Sequence, residues 1–386
     1  MIATTDGEIC IACLCSKTTA LPIPNDFRSM LSDGQIIQKP LAKVLCMDCG
    51  LIFHSRAVLE TEVRQFYSES YALHSTPTKS DFNRGEIYAN EVSQSLSNYP
   101  EPNHILDVGC GSGALIQLLS QKWKKSSFIG IDPHPPKETE NSRLHFSKTF
   151  LSELKSDTKF DLITSVNSIE HSSNPLEFLK SMRQLCHDES HVVLICPSAF
   201  PTNDEILFFD HLWTFSKRAF ALLALKAGFD LTSIHDLTST AGDFTKFHLR
   251  LNRAIPQKLR EDLAFNLPQH QLKSCHKFLD EWKLLDSRLL QLLSKKAAKI
   301  QIFGAGQMAA LIRTYAPQSW KLVKRLVVDA PSEAWPLGDI TTYISAESNR
   351  GWSTLIGVHP RTAAKIAARI SNDGGEPILL PLEEHS

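Results

Sequence analysis

The chain of 386 residues is long enough for two or three domains, each with its own buried core. It carries 41 lysine and arginine residues against 42 aspartate and glutamate residues, which gives a formal net charge of −1 at pH 7. This balance argues against a broad electrostatic attraction to nucleic acid or to an anionic membrane. No stretch approaches the ~18 apolar residues of a membrane helix, so we expect a cytoplasmic protein with neither nucleic acid nor membrane among its partners.

The first 60 residues contain five of the nine cysteines. Four of them form two C-x2-C pairs: Cys10 with Cys13, and Cys46 with Cys49. Two such pairs can complete a tetrahedral site of four thiolates, and in a reducing compartment their clustering favours metal over disulfides. We therefore predict a structural Zn²⁺ site in a module over residues 1–60. Cys15 is either a spare thiol or a competitor of Cys13.

Residues 61–102 form a polar segment with a helical pattern, which contains FYSESYALHS at 66–75. From 103 to 250, short apolar runs alternate with helical stretches, as in βα units around a parallel sheet. The runs HILDVG, SFIGID, FDLITSV and HVVLICP indicate its strands. Residues 251–296 have the pattern of a connecting helix, and a second βα alternation follows over 297–386. The expected fold class is α/β, with two Rossmann-like domains.

The stretch ILDVGCGSGALIQLL combines a strand, a glycine-rich turn and the start of a helix. Its glycines are Gly109, Gly111 and Gly113. Side chains at these positions would crowd the turn or a ligand lying over it, and the helix behind the turn offers free N–H groups. The next strand, SFIGID, ends in Asp132, whose carboxylate could bind the two hydroxyls of a ribose. The pattern predicts a nucleotide-like cofactor, either a dinucleotide or S-adenosylmethionine.

Two acid–histidine pairs occur in the same region. Glu170-His171 comes at the carboxyl end of FDLITSV, where ligands bind in open α/β sheets. Asp210-His211 lies within FFDHLWTFS, ahead of a predicted helix. A histidine beside a carboxylate can accept a proton near neutral pH, as the removal of a proton from carbon requires. A purely structural role stays open for both histidines.

A second glycine turn begins the C-terminal domain, in IFGAGQMAALIRTYA. Gly304, Gly306 and Ala309 give a G-x-G-x-x-A pattern, and Asp329 follows at the end of the next apolar run. This pattern is typical of a dinucleotide site. Three interpretations remain: a nicotinamide-type cofactor site, a contact with the nucleotide end of a substrate, or a purely structural turn.

The sequence D-V-G-C-G-S-G lacks the glycine spacing of dinucleotide sites and resembles the first motif of class I S-adenosylmethionine-dependent methyltransferases. The likeness runs from about 103 to 230. It implies that the three glycines approach the methionyl part of the cofactor, that Asp107 orients the turn and the amino group, and that Asp132 holds the ribose. Three further residues are expected in the cofactor site: Phe150 and Leu151, which would flank the adenine, and Asn167.

The order of a four-cysteine module, a methyltransferase domain and a second Rossmann-like domain resembles the nucleotide-sugar 3-C-methyltransferases. That family implies a small-molecule acceptor, a keto-deoxysugar nucleotide, which loses a proton to a base and is methylated at carbon through an enolate. The stretch FFDHLWTFS matches the part of the family that supplies the base. The match assigns four catalytic residues: His211 as the base or part of its relay, Asp210 as its acid, His171 as the group that steadies the enolate, and Tyr71 near the reacting centre.

Two other functions remain open. An O- or N-methyltransferase acting on another small metabolite needs at most a mild base, so it does not require His211 in that role. A zinc-ribbon RNA methyltransferase is the weaker alternative, because an enzyme of that kind would be expected to carry a basic surplus. Monomeric and dimeric states are both compatible with the sequence.

Overall fold

The structure is a computed structural model. It describes residues 8–55, 65–67, 79–137, 140–239, 242–251, 268–296, 299–329, 337, 342–344 and 349–382. The chain divides into two compact units. The first comprises Met1–Ala20, Val44–Asn203 and Leu212–Gln271, and the second comprises Leu21–Lys43, Asp204–His211 and Leu272–Ser386. The domain boundaries predicted from sequence do not anticipate that the short segments Leu21–Lys43 and Asp204–His211 group with the C-terminal region.

The strands are, in chain order, β1 (Thr18–Ala20), β2 (Ser29–Met30), β3 (Ile36–Ile37), β4 (Lys43–Cys46), β5 (Ile52–His54), β6 (His104–Val108), β7 (Ser127–Asp132), β8 (Leu144–Lys148), β9 (Phe160–Val166), β10 (Cys186–Pro197), β11 (Trp213–Thr214), β12 (Asp230–Ser239), β13 (Gly242–Arg250), β14 (Lys299–Phe303), β15 (Val323–Val328), β16 (Thr342–Ile344), β17 (Trp352–Ile356) and β18 (Glu376–Ile378). The α-helices are α1 (Lys79–Ser95), α2 (Ala114–Lys122), α3 (Pro175–Gln184), α4 (Lys217–Lys226), α5 (Pro268–Leu293), α6 (Gln307–Tyr315), α7 (Pro317–Trp320) and α8 (Pro360–Asn372).

A small sheet with the order β1-β4-β5-β11 carries the cysteine pairs of the first unit. β1 and β4 are antiparallel, and Thr18 lies opposite Cys46. The second cysteine pair occupies the turn between β4 and β5, where the N–H of Cys46 donates to the carbonyl oxygen of Leu51 at 2.9 Å. The sheet therefore presents the second pair on a tight turn between two strands.

The large sheet of the first unit has the order β12-β13-β10-β9-β6-β7-β8. The strands from β10 to β8 are parallel, and β13 and β12 are antiparallel additions. The central parallel strands are buried, which explains their near-continuous runs of Ile, Leu and Val. The α/β fold predicted for this region is confirmed. The antiparallel hairpin of β12 and β13, which makes the sheet mixed, has no counterpart in the predicted strands.

One edge of this sheet gathers the residues predicted to bind the cofactor, because parallel strands all end at the same edge. β6 leads into the glycine turn, and β7 ends in Asp132. Phe150 and Asn167 follow the ends of β8 and β9. Helix α3 is held at its start by Asn174, whose side chain accepts hydrogen bonds from the N–H groups of the first turn.

The second unit contains a five-stranded sheet with the order β16-β15-β14-β17-β18, in which every pair is parallel. The buried side chains of α5 recur at intervals of three and four residues, the spacing of a helix with one apolar face. They include Cys275, Phe278, Trp282, Leu285 and Leu289. The parallel pairing of all five strands confirms the second Rossmann-like sheet predicted from sequence. A short antiparallel hairpin, β2 with β3, belongs to the same unit.

Among the helices that the structure describes, none is both long enough and apolar enough to span a bilayer.

Candidate functional site

The glycine turn between β6 and α2 has a left-handed backbone at each of its three glycines. The φ angles are 73° at Gly109, 50° at Gly111 and 74° at Gly113. A Cβ atom on Gly109 would lie 1.9 Å from the hydroxyl oxygen of Ser168, and one on Gly113 would lie 2.7 Å from the Phe146 ring. A Cβ on Gly111 would meet nothing within 4 Å. Packing within the protein thus requires two of the glycines, whereas Gly111 is open to a ligand.

Asp132, at the end of β7, is hydrogen bonded to the glycine turn itself. Its Oδ2 accepts the N–H of Gly111 at 3.0 Å, and its Oδ1 accepts the N–H of His134 at 2.7 Å. Burial raises the pKa of Asp132, and the two backbone hydrogen bonds oppose that shift. Each carboxylate oxygen keeps further capacity to accept. Asp132 can therefore bind the hydroxyls of a ribose while the turn holds it in place.

Asp107 is a buried side chain of β6, only 2% exposed. Its Oδ1 accepts the hydroxyl of Thr164 on β9 at 2.8 Å. Burial raises the pKa of Asp107 to about 7, against the lowering effect of the Thr164 hydrogen bond, and the nearby charge of Asp132 raises it further. The carboxyl group thus links two neighbouring strands directly beneath the glycine turn.

Asn167, the residue after β9, combines a rare backbone conformation with an unsatisfied acceptor. Its φ angle is 50°, in the left-handed region that side-chain-bearing residues seldom adopt. Its N–H donates to the carbonyl oxygen of Ile195 at 2.9 Å, and its Nδ2 donates to the hydroxyl of Tyr88 at 3.4 Å. Its Oδ1 is buried and accepts no hydrogen bond from any residue that the structure describes. Strain and an orphan acceptor together are typical of a ligand site.

Phe150 and Leu151 lie just beyond β8, next to the strand that carries Asp132. The N–H of Thr149 donates to the carbonyl oxygen of Asp132 at 3.2 Å, which ties the two strand ends together. Phe150 is half-buried and Leu151 is buried, at the start of a short 3₁₀ helix. This places an apolar pair near the ribose acid, as a site for adenine requires.

His171 ends the 3₁₀ turn Ile169–His171 and contacts a tyrosine that the sequence analysis did not single out. The Oη of Tyr67 lies 2.5 Å from the Nδ1 of His171, and the two rings meet edge to face with centroids 5.3 Å apart. Tyr71, the tyrosine predicted near the reacting centre, lies outside the described residues. The two tyrosines are four residues apart in FYSESYALHS, a spacing that would place both side chains on one face of the helix predicted there, and this spacing was the signal available in the sequence.

Asp210 and His211 belong to the second unit and have different partners there. The Asp210 carboxylate accepts the N–H of Ser32 at 2.8 Å and its hydroxyl at 2.6 Å. The Nδ1 of His211 lies instead 3.1 Å from the Oε2 of Glu205. The ring of Phe208 packs edge to face against the imidazole. The carboxylate beside His211 is therefore that of Glu205, whereas Asp210 holds the loop after β2.

Lys43 is a further charged group of this region that no sequence motif indicated. Its side chain is almost fully buried, and its Nζ donates to the carbonyl oxygen of His211 at 2.9 Å. Burial lowers the pKa of Lys43 to about 7, and the charges of Asp210 and Glu205 oppose that shift. The ammonium group thus fixes the backbone of His211 and balances the two neighbouring carboxylates.

The four cysteines predicted to bind zinc come together in the first unit. All four sulfur atoms lie within 4.8 Å of one another. The Sγ of Cys10 is 3.5 Å from that of Cys49, and the Sγ of Cys13 is 3.4 Å from that of Cys46. Around a zinc ion with Zn–S bonds of ~2.3 Å, tetrahedral sulfurs would be about 3.8 Å apart. The distances between the four sulfur atoms are therefore compatible with a zinc ion bound at their centre.

Cys15 lies outside the cluster. Its Sγ accepts the N–H of Lys17 at 3.3 Å. None of the nine cysteines, all within the described residues, forms a disulfide. Of the two interpretations of Cys15, the spare thiol agrees with this geometry.

The second glycine turn, between β14 and α6, differs from the first in its surroundings. A Cβ atom on Gly304 would lie 2.6 Å from the carbonyl oxygen of Gly357, so the protein's own backbone requires that glycine. Asp329, the acid expected at a ribose, pairs with Arg369 at 2.9 Å. These contacts indicate structural roles for Gly304 and Asp329, whereas a Cβ on Gly306 would meet nothing within 4 Å, so the three interpretations of this turn stay open.

Part of the first unit is similar to known proteins. Residues 70–234 match the family model described as a methyltransferase domain. N-methyltransferase 4 of Papaver somniferum is 31% identical over 144 residues, which cover 33% of this chain and 40% of that protein. (S)-tetrahydroprotoberberine N-methyltransferase of Eschscholzia californica is 25% identical over 142 residues, 34% of this chain and 36% of that protein. The chain spans less than half the length of these curated relatives.

Solved methyltransferase structures also superpose on part of the chain. The Burkholderia thailandensis 1,6-didemethyltoxoflavin-N1-methyltransferase, determined with S-adenosylhomocysteine, superposes with a TM-score of 0.41 at 14% identity and covers 54% of this chain and 98% of its own. The plantazolicin methyltransferase BpumL, in complex with a pentazolic analog, has a TM-score of 0.37 at 15% identity over 45% of this chain and 87% of its own. The match of the family model coincides with the glycine turn, Asp132 and Asn167. Residues 70–234, which carry the parallel strands of the seven-stranded sheet, are therefore similar to a methyltransferase domain.

Proposed function

We propose that this protein transfers the methyl group of S-adenosylmethionine to a small-molecule acceptor. The observation that carries the proposal is the pairing of an open backbone position, Gly111, with a buried carboxylate, Asp132, to which its N–H donates. The buried, unsatisfied Oδ1 of Asn167 follows the neighbouring strand β9 at the same edge of the sheet. An open turn, a ribose acid and an acceptor for an ammonium group are what this cofactor needs.

Different residues of the proposed site suit the methionyl, ribose and adenine parts of the cofactor. Gly111 leaves room for the methionyl part, and Asn167 Oδ1 can accept from its ammonium group. Asp132 can accept from both ribose hydroxyls, and Phe150 and Leu151 can pack on the adenine. When bound, S-adenosylmethionine supplies an electrophilic methyl group on a sulfonium ion. The protein's part is to orient the two reactants and to keep water away, since positioning accounts for much of the acceleration of such displacements.

For the acceptor, we propose a keto-deoxysugar nucleotide methylated at carbon through an enolate. The three-part arrangement supports it: a four-cysteine cluster, a methyltransferase domain and a separate parallel sheet are all present. A second support is the buried imidazole–carboxylate pair of His211 and Glu205, whose side chains are 6% and 14% exposed. Removing a proton from carbon needs such a base, whereas methyl transfer to nitrogen does not.

In this proposal His211 is the base and Glu205 replaces Asp210 as its acid partner. A carboxylate 3.1 Å from Nδ1 favours the tautomer with a hydrogen on Nδ1, in which Nε2 is the accepting nitrogen, and stabilises the imidazolium that forms. Asp210, hydrogen bonded to Ser32, supports the loop beside it. The role of Tyr71 stays a prediction, and His171 is proposed to donate a hydrogen bond to the enolate oxygen.

A second candidate is methyl transfer to nitrogen in a small metabolite. It is favoured by the names of the two curated relatives, both N-methyltransferases. We also propose that Cys10, Cys13, Cys46 and Cys49 hold a structural Zn²⁺, since four thiolates leave no open position for catalysis.

Cofactor binding is tested by titrating the full chain with S-adenosylhomocysteine in a calorimeter. We expect saturable binding, weakened roughly tenfold or more in Asp132→Asn, because a charged hydrogen-bond acceptor is lost. Asp157→Asn, an exposed aspartate outside the site, is the matched control and should bind as the wild type does. Absence of binding at millimolar concentration would refute the proposed function.

The acceptor is tested by incubating the protein and S-adenosylmethionine with a panel of keto-sugar nucleotides and a panel of amines, followed by mass spectrometry. A gain of one methyl group on a keto sugar, lost in His211→Ala and lowered ~10²-fold or more in Glu205→Gln, supports C-methylation. Glu177→Gln, an exposed glutamate on α3, serves as the control. Methylation of an amine that persists in His211→Ala would favour the second candidate instead.

A further inference from the structure

The contact between Tyr67 and His171 joins a phenol to one nitrogen of an imidazole. The Oη and Nδ1 atoms are 2.5 Å apart. A phenol O–H can donate or accept, and a neutral imidazole accepts at the nitrogen that carries no hydrogen. If Tyr67 is the donor, Nδ1 of His171 is the acceptor. A neutral imidazole that accepts at Nδ1 carries its hydrogen on Nε2.

The imidazole is held on a rigid turn beside the cofactor edge. The N–H of His171 donates to the carbonyl oxygen of Ser168 at 3.1 Å. The hydroxyl of Ser168 in turn donates to the carbonyl oxygen of Val108, the last residue of β6, at 3.3 Å. Ser168 is also the residue against which Gly109 packs. His171 is thus linked through one residue to the strand end and to the glycine turn.

The far side of the same turn is fixed as well. The hydroxyl of Ser172 donates to the carbonyl oxygen of Ile169 at 2.7 Å, and the indole N–H of Trp213 donates to the carbonyl oxygen of Ser172 at 2.6 Å. Trp213 stacks on Phe53 with ring centroids 5.9 Å apart. These hydrogen bonds fix the backbone on both sides of His171. The contact with Tyr67 then restricts the orientation of its imidazole ring.

We propose that Tyr67 is a positioning residue that fixes His171 as the Nε2–H tautomer, so that His171 donates a hydrogen bond to an oxyanion on the methyl acceptor. The inference rests on the proposed function and narrows it. An acceptor methylated at carbon that develops an oxyanion carries a carbonyl group beside that carbon, whereas an amine develops no oxyanion. In this arrangement His171 is a donor and takes no proton from the acceptor, which leaves proton removal to another group.

The tautomer can be read without any acceptor, by ¹⁵N NMR of the full chain labelled at histidine and saturated with S-adenosylhomocysteine. The His171 signals are assigned by their loss in His171→Asn. We expect an unprotonated Nδ1 and a protonated Nε2 at pH 8. In Tyr67→Phe, which keeps the ring and removes the hydroxyl, we expect both nitrogens to shift toward averaged values. A protonated Nδ1 in the wild type, or an unchanged His171 in Tyr67→Phe, would overturn the proposal.

A matched control exists in the same unit. Tyr99 meets His191 edge to face, with ring centroids 4.3 Å apart, so Tyr99→Phe makes the same chemical change at another tyrosine–histidine contact. It should leave the His171 signals as they are in the wild type.

Kinetics with the keto acceptor found in the mass-spectrometric panel give the second readout. Loss of an oxyanion donor costs ~10²–10³ in kcat, and we expect that range for His171→Ala. For Tyr67→Phe we expect a smaller fall in kcat, roughly tenfold, with the affinity for S-adenosylhomocysteine within twofold of the wild type. An unchanged kcat in Tyr67→Phe would contradict the inference. Failure of the wild type to bind S-adenosylhomocysteine would instead contradict the proposed function, so the two failures are distinguishable.

Discussion

Leu14 and Gly50 hold the same left-handed backbone at equivalent positions of the two cysteine pairs, with φ angles of 64° and 75°. Each follows the second cysteine of its pair, and each donates its N–H to the carbonyl oxygen of the first, at 2.8 Å for Leu14 and 3.0 Å for Gly50. The two pairs are therefore copies of one turn, of which only the second has the residue that this backbone favours.

Leu14→Gly is predicted to strengthen metal binding. A left-handed conformation costs a residue with a side chain ~1–2 kcal/mol, and the greater chain entropy of glycine in the unfolded state offsets ~0.4–1 kcal/mol of the gain. Leu14 is 66% exposed, so little apolar burial is lost. We expect up to about 1 kcal/mol, or about fivefold, in a competition for zinc with a chromogenic chelator.

The reverse substitution, Gly50→Ala, provides the opposite arm of that experiment. It should release zinc at lower chelator concentration than the wild type. Easier release from Leu14→Gly than from the wild type would show that the left-handed backbone of Leu14 is not the strained feature that its φ angle indicates.

Removing one cluster sulfur is predicted to abolish metal binding, whereas removing the spare thiol is not. Cys46→Ser takes away a buried sulfur 3.4 Å from that of Cys13, and we expect less than about 0.3 equivalents of zinc by elemental analysis. Cys15→Ser removes a sulfur that accepts the N–H of Lys17, and it should retain about one equivalent. Equal loss of zinc in both variants would contradict the assignment of the four ligands.

The three glycines of the cofactor turn are predicted to respond differently to alanine. Gly111→Ala meets no protein atom within 4 Å, so we expect the Tm of the ligand-free protein to fall only by the cost of a left-handed backbone at a residue with a side chain, ~1–2 kcal/mol. Its methyl group would occupy the space left for the cofactor, and the affinity for S-adenosylhomocysteine should fall roughly tenfold or more. A Cβ atom in Gly109→Ala would lie 1.9 Å from the hydroxyl oxygen of Ser168, so this substitution should lower the Tm more than Gly111→Ala does. Calorimetric titration and thermal unfolding give both quantities, and wild-type affinity in Gly111→Ala would refute the prediction.

A buried histidine pair is predicted to make the protein less stable in mild acid. His191 Nδ1 and His248 Nε2 are 2.8 Å apart between β10 and β13. Burial, followed by the nearby charges of His191, Arg250, Lys246 and His235, lowers the pKa of His248 to about 3. Below its ordinary value of ~6.5, the unfolded chain binds a proton that the folded protein does not. Stability therefore falls as the pH decreases from 6.5 toward 3.

The slope that one such group contributes is about 1.4 kcal/mol per pH unit, so we expect a loss of about 1.4 kcal/mol between pH 7.5 and pH 5.5. Urea unfolding at the two pH values measures it. His248→Gln should flatten the dependence by that amount, whereas His145→Gln, at an exposed position, should not. A slope unchanged in His248→Gln would locate the acid sensitivity elsewhere.

Local patterns in the sequence were sufficient to predict the strand, glycine turn and helix at one edge of the large sheet. β6, the glycine turn and α2 follow one another directly in the sequence. The buried parallel strands are recognisable as short apolar runs. The second parallel sheet was found for the same reason. The antiparallel hairpin of β12 and β13 was not, because its strands mix polar and apolar residues, as in TSIHDLTS.

The partners of His211 could not be found in this way, since they depend on contacts between distant residues. Lys43 lies 168 positions before the histidine whose carbonyl oxygen it binds. Asp210 is adjacent to His211 in sequence, yet its carboxylate serves Ser32, 178 positions away. Neighbouring residues in an irregular loop point in different directions, so adjacency in sequence does not predict which carboxylate meets the imidazole.

The hydrogen bond from Gly111 to Asp132 joins the two halves of the proposed cofactor site before any ligand arrives. The turn that leaves room for an amino acid and the carboxylate that suits a sugar are parts of one pre-organised element, so neither has to be ordered on binding. Free methionine and free adenosine would each engage half of this element. An intact S-adenosyl compound engages both at once, so its affinity should exceed the affinity of either part alone.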